Sequence, residues 1–201
     1  MELIGMLDSP YVRRAAVSLR LLGIPFTHRS LSVFRNYDEF RAINPLVKAP
    51  TLVLDDGSLL TESGLIVDWA ETLAGRSLMP SAPAQRLRAL RLSGLALAAM
   101  EKSVQIVYEY KRDADKRDAG WLQRVQQQLR AAYDRLEAEL EGVDDWLFGA
   151  TPTQPDIAIA VAWGFTQLVV SEFVPAATYP LLVMFALRAE QHPDFAALPP
   201  V

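Results

Sequence analysis

The apolar positions follow two patterns along the chain. Up to about residue 75 they come in short clusters separated by turn residues, and beyond residue 83 they recur at helical spacing. Residues 3–7 form a compact apolar run suited to a strand buried on both faces. Ser9 and Pro10 then supply an N-cap and a first helical residue. Behind them Val12, Ala15, Ala16, Leu19 and Leu22 keep helical spacing until Gly23 stops the helix. A second strand is predicted over residues 27–31. Residues 51–54 and 58–61 flank Asp55-Asp56-Gly57 and read as a hairpin. Leu65, Ile66, Trp69 and Leu73 mark a further amphipathic helix, closed by Gly75. The order is β-α-β, then β-β-α, and defines a small α/β unit over residues 1–78.

Residues 76–83 lose the periodicity and carry two prolines, as a linker does. The remainder, 84–201, reads as an all-helical domain with four major helices, at 85–111, 119–140, 155–170 and 179–190. The run 157–170 is apolar except for Thr166 and Gln167, but a membrane span needs about 20 such residues. It therefore reads as a core helix. The amino terminus lacks the basic start and long apolar stretch of a secretory leader. The expectation is a soluble, cytoplasmic protein with no membrane partner. Residues 111–120, KRDADKRDAG, read as a solvated helix end and turn.

Composition narrows the chemistry. The 201 residues include no cysteine, which removes disulfides, thiolate metal sites and a protein thiol nucleophile. With His28 and His192 as the only histidines, a histidine-built metal site is not expected. Lys plus Arg number 20 against 24 for Asp plus Glu, a formal charge of −4, and broad nucleic-acid binding needs the opposite balance.

Three short segments carry candidate chemistry. Ser9 stands between a strand and a helix start, where its hydroxyl either caps the helix by accepting an N–H near Val12 or donates to a bound anion. Lys48-Ala49-Pro50-Thr51 precedes a strand. A trans Pro50 would merely open an edge strand, whereas a cis bond would expose the Ala49 backbone to a peptide-like ligand. In Thr61-Glu62-Ser63, Thr61 caps the next helix and Glu62 favours its first turn. Alternatively Ser63 and nearby amides hold a carboxylate while Glu62 pairs with an ammonium. Arg13 and Arg14 add positive charge near Ser9, either steering an acidic ligand or pairing on the surface, and Arg86, Arg88 and Arg91 read as a solvated helix face.

The order and spacing of these segments resemble the glutathione transferase family. The matching elements are SPYVRR (9–14), NPLVKAPTLV (44–53), LTESGLIVDW (60–69) and TQPDIAIA (153–160). They span essentially the whole chain and are most similar to bacterial, two-domain cytosolic members with serine at the activating position. The resemblance implies a fold of α/β plus all-α type, a thioredoxin-like amino-terminal domain followed by an all-helical one. It implies glutathione as co-substrate, no metal, and a homodimer. Ser9 would donate to the glutathione sulfur, and Ala49, before a cis Pro50, would pair with the cysteinyl backbone. Glu62 and Ser63 would hold the γ-glutamyl ammonium and carboxylate, and Lys48 would meet the glycyl carboxylate. Asn36, before the second helix, is a weaker assignment. Thr153 and Asp156 would form a structural capping box, although Pro152 stands where the family often has an apolar staple residue.

The activity so implied is transfer of glutathione to a small hydrophobic electrophile, in detoxification, with peroxide reduction as a side activity. A free thiol titrates near about 8.5, so the site must favour the thiolate, and a hydroxyl hydrogen bond and a helix dipole both do so. The second substrate would sit between the domains, with Tyr11 and Tyr108 as walls, Tyr108 being read as midway along the first long helix. Phe34, Met100 and Trp163 have weaker claims, because such side chains at helical spacing more often form core. The rival class is a non-catalytic binding or scaffold protein of the same fold. Retention of Ser9, Ala49-Pro50, Glu62 and Ser63 together favours the enzyme. The lack of a cysteine near Ser9 disfavours thiol-disulfide exchange and dehydroascorbate reduction through a mixed disulfide.

Overall fold

The computed structural model describes residues 1–200 and divides into two compact units. One comprises Met1–Leu78 together with the segment from His192 onward, and the other Met79–Gln191. The combination of thioredoxin-like and all-helical parts is the fold expected.

The first unit holds β1 (Glu2–Ile4), α1 (Pro10–Leu22), β2 (Thr27–Arg29), α2 (Tyr37–Ile43), β3 (Thr51–Val53), β4 (Leu59–Thr61) and α3 (Ser63–Ala74). Its sheet has the order β2-β1-β3-β4, with β1 parallel to β2 and the other pairs antiparallel. Successive strand residues face opposite ways, and Leu3 and Ile4 are both fully buried, so β1 is covered on both sides. Ile4 packs with Leu31 and Phe40, the latter from α2. The apolar run does not extend β1 to residue 7. Gly5 turns the chain at φ 136°, a value side chains rarely adopt, and a Cβ there would lie 2.6 Å from Val12 Cγ2. Likewise β2 ends at Arg29, and as the edge strand it is exposed throughout. Helix α1 runs from the Ser9 cap to a left-handed Gly23, as its spacing predicts.

Two features of α3 correct the sequence reading. Its N-cap is Glu62, whose own carboxylate accepts the first helical N–H groups, and not Thr61. Its buried face is Ile66, Val67 and Ala70, while Leu65, Trp69 and Leu73 form an exposed ridge at i, i+4 and i+8.

The second unit contains α4 (Pro83–Tyr110), α5 (Ala119–Glu139), α6 (Gln154–Val169) and α7 (Pro180–Gln191). Helix α6 is its centre, with residues 157–163 all essentially buried. Tyr133 of α5 donates to the Ala162 carbonyl at 2.9 Å, and Thr166 lies 2.7 Å from the Ser103 hydroxyl, tying α4 and α5 to α6. Arg88 pairs with Glu139 at 3.2 Å on a half-exposed surface, in keeping with a solvated face. No single helix among the described residues is long and apolar enough to cross a membrane.

The chain returns to the first unit at His192. Helix α8 (Pro193–Ala196) belongs to the first unit, because Arg13 and Arg20 of α1 bond to it and to the residue that follows it by two.

Candidate functional site

One row of the sheet organises the first unit's chemistry. Ile4 stands opposite Thr51, and Thr51 opposite Thr61. The chain leaves β1 at Ile4, enters β3 at Thr51 and leaves β4 at Thr61. The segments 5–9, 48–50 and 62–63 are therefore attached to the same end of three adjacent strands, a row about 10 Å wide at the usual strand spacing. The close approach of Gly5 to Val12 and Ala49 packs the first two segments together.

Ser9 is the N-cap of α1 in extended geometry, and its carbonyl accepts the Arg13 N–H at 3.0 Å. Its hydroxyl makes no capping bond, so of the two roles open to this hydroxyl the helix cap does not hold. Beside it, burial pushes the Asp8 carboxyl above its ordinary value, opposed by the Ser9 N–H and by the charge of Arg35. Tyr11 is half-buried in the first turn of α1.

The Ala49-Pro50 bond is cis. The loop before it is held by Asn44, which is 2% exposed and donates to Thr51 Oγ1 at 2.8 Å. The Thr51 hydroxyl in turn donates to the Lys48 carbonyl at 2.7 Å. Lys48 itself is exposed. Asn36 accepts the Ser32 N–H and starts α2, which is a turn role.

At the start of α3, Glu62 adopts φ 77°, a conformation that costs a non-glycine residue on the order of 1–3 kcal/mol. Its Oε2 accepts the N–H groups of Gly64 at 2.9 Å and Leu65 at 3.2 Å. The Ser63 hydroxyl donates to Glu62 Oε1 at 3.3 Å and accepts from Arg14 Nη1 at 3.0 Å. Ser63 is 1% exposed and Arg14 6%. Burial pulls the Arg14 guanidinium below its ordinary value, and the charges of Glu62 and Glu71 oppose that. Neither Arg13 nor Arg14 is the surface charge the sequence suggests, since both are buried. Nothing in the spacing separates a buried arginine from an exposed one.

The remaining residues singled out lie in the second unit. Tyr108 is half exposed in the last turn of α4, not at its middle, because the helix ends at Tyr110. Met100 and Trp163 are core, whereas Phe34 of the first unit is half exposed. Thr153 and Asp156 form the capping box of α6, with the Thr153 N–H donating to Asp156 Oδ2 at 2.8 Å. Asp156 also accepts the Leu147 N–H at 2.9 Å and is fully buried.

Comparison with known proteins gives two family matches. Residues 3–78 match the family described as glutathione S-transferase, N-terminal domain, and residues 119–201 match glutathione S-transferase, C-terminal domain. The chain is 30% identical over 166 residues to the uncharacterized GST-like protein YibF of Escherichia coli (strain K12), covering 82% of this chain and 81% of that one. Among solved structures, it is similar to a glutathione S-transferase of Methylobacterium radiotolerans in complex with glutathione sulfonate. The TM-score is 0.89 and the identity 30%, over 99% of this chain and 94% of that one. A glutathione transferase family member of Pseudomonas fluorescens with bound glutathione gives a TM-score of 0.81 at 27% identity, over 100% and 98%.

Proposed function

The chain belongs to the glutathione S-transferase family, and from that premise we propose that it binds reduced glutathione in its first unit and ionises the thiol for attack on a small hydrophobic electrophile. The observation that carries this reading is the row Ile4–Thr51–Thr61, which brings Ser9, Ala49-Pro50 and Glu62-Ser63 to one end of the sheet. A tripeptide has a thiol, a peptide backbone and a γ-glutamyl end to hold, and these three segments offer a hydroxyl, backbone groups and a charged helix start. The relatives solved with glutathione or its sulfonate support the same ligand.

In the mechanism, the Ser9 hydroxyl donates to the glutathione sulfur, and the α1 dipole adds partial positive charge there. Lowering the thiol pKa by two units needs about 2.7 kcal/mol, within reach of one charge-assisted bond and a helix terminus. Ala49 pairs with the cysteinyl backbone, Glu62 takes the ammonium, Ser63 supports the carboxylate and Lys48 meets the glycyl carboxylate. Glu62 binds its ammonium with a carboxylate already oriented by two amides. The thiolate sulfur then forms a bond to the electrophilic carbon as the leaving group departs with its electron pair. The thiol proton is released to solvent on binding, so no protein base or covalent intermediate is needed. With a hydroperoxide, two glutathione molecules become the disulfide while the peroxide becomes alcohol and water.

Tyr11, two residues on from Ser9, is assigned to the electrophile, and Tyr108 is assigned to it on the resemblance alone. The proposal includes a homodimer, for which the exposed Leu65–Trp69–Leu73 ridge supplies an apolar face to cover. A panel of electrophiles and hydroperoxides assayed with glutathione tests the reading. Turnover with at least one class supports it, and glutathione binding without any turnover moves the protein to the scaffold class.

A further inference from the structure

We propose that Arg13 is a positioning residue for the Ser9 hydroxyl, clamping the first turn of α1 to the chain segment that returns to the first unit at His192. This rests on the assignment of Ser9 to the glutathione sulfur. A serine at a helix start normally secures the first turn through its own hydroxyl. Ser9 makes no such bond, so a hydroxyl kept for a ligand leaves the turn without its usual fastening.

Arg13 supplies the fastening. Its N–H closes the first turn on the Ser9 carbonyl. Its side chain, 2% exposed, leaves α1 and donates from Nε to the Leu198 carbonyl at 2.8 Å and from Nη2 to the Phe195 carbonyl at 3.5 Å. The guanidinium carbon lies 6.0 Å from the centre of the Phe195 ring, and Phe195 is fully buried. Burying a guanidinium is costly unless its donors are met in fixed geometry, and backbone carbonyls in and just after the short helix α8 meet them here. Arg20, two turns further along the same face, bonds Asp194 at 3.1 Å. The returning segment thus grips α1 at two points, and the first is one turn from Ser9. Arg13 touches neither the sulfur nor the electrophile, and its effect passes through the placement of the helix start.

The test uses the full chain with Arg13→Met, Arg13→Lys and Asp194→Ala. Two readouts are taken: amide hydrogen exchange along α1 without glutathione, and the pKa of bound glutathione from the pH dependence of thiolate absorbance. In Arg13→Met, exchange in the first turn of α1 rises about tenfold or more relative to α3. The thiol pKa rises by about half a unit, a roughly threefold loss of thiolate at pH values well below that pKa. Arg13→Lys, which keeps one donor, restores part of both, and Asp194→Ala moves both less in the same direction. Unchanged α1 exchange and unchanged thiol pKa in a folded Arg13→Met overturn the proposal. If that variant does not fold, unchanged values in both Arg13→Lys and Asp194→Ala do so. A parent that binds glutathione without ionising it overturns the role of Ser9, and the positioning role with it, whatever exchange shows about the clamp.

Discussion

At the scale of single residues, the proposed thiol activation turns on a hydroxyl that a helix start would ordinarily use for itself. Ser9 is an N-cap by backbone geometry and yet leaves its hydroxyl out of the cap. Ser9→Ala should therefore cost little stability. It should raise the pKa of bound glutathione and lower kcat/KM by about 10- to 100-fold, the worth of one charge-assisted bond, while glutathione affinity stays within a few-fold. Steady-state kinetics and the thiolate pH titration check this, and equal thiol pKa values in parent and variant would refute it. Glu62→Gln separates binding from activation. The amide oxygen can still accept from Gly64 and Leu65, so the helix keeps its cap, while buried Arg14 loses a compensating charge, so thermal stability should fall modestly, and the charge facing the ammonium is lost. Glutathione binding should weaken about tenfold with the bound thiol pKa unchanged. The places of Ser9, Glu62 and Ser63 at helix starts were legible because polar residues at strand-to-helix junctions stand out against apolar runs. Arg14 was not: its role depends on reaching Ser63 from another helix, a contact 49 residues apart in sequence.

At the scale of elements, the long helices were legible and the short ones were not. Helices α4 to α7 declare themselves through many turns of periodicity. Helix α2 has seven residues and one buried side chain, Phe40, and α8 has four residues, too few for a period to show. The apolar ridge of α3 misled for another reason, since Leu65, Trp69 and Leu73 share a face with each other but not with the core. The α6 capping box was read correctly from Thr153 and Asp156, whose roles are local. Burial holds the Asp156 carboxyl above its ordinary value, partly offset by its bonds to Leu147 and Thr153. A folded pKa above the unfolded one means the folded state binds the proton more tightly. This contribution to stability is complete below about pH 4 and is lost as pH rises through the raised value. Urea unfolding across that window should show stability falling with pH for this group, and Asp156→Asn should remove that part of the slope. Asp156→Ala should cost about 2–4 kcal/mol at acid pH and less as pH rises through that window, because the Leu147 and Thr153 amides lose their acceptor.

At the scale of the whole molecule, the chain builds the first unit, then the second, and returns to the first at His192. Neither composition nor periodicity marks that return, which is written in the bonds of Arg13 and Arg20. If the α3 ridge is a subunit contact, Trp69→Glu should convert a dimer to a monomer in sedimentation velocity, with little loss of thermal stability in the isolated chain. A parent that sediments as a monomer would remove the dimer from the account. The central claim is that this protein binds glutathione and ionises it on binding. The most direct measurement is calorimetric titration of the protein with reduced glutathione at neutral pH, repeated in two buffers of different ionisation enthalpy. Ionisation on binding predicts saturable binding in the micromolar to millimolar range with release of most of one proton per glutathione bound. Undetectable binding at millimolar glutathione, or saturable binding without proton release, would contradict it.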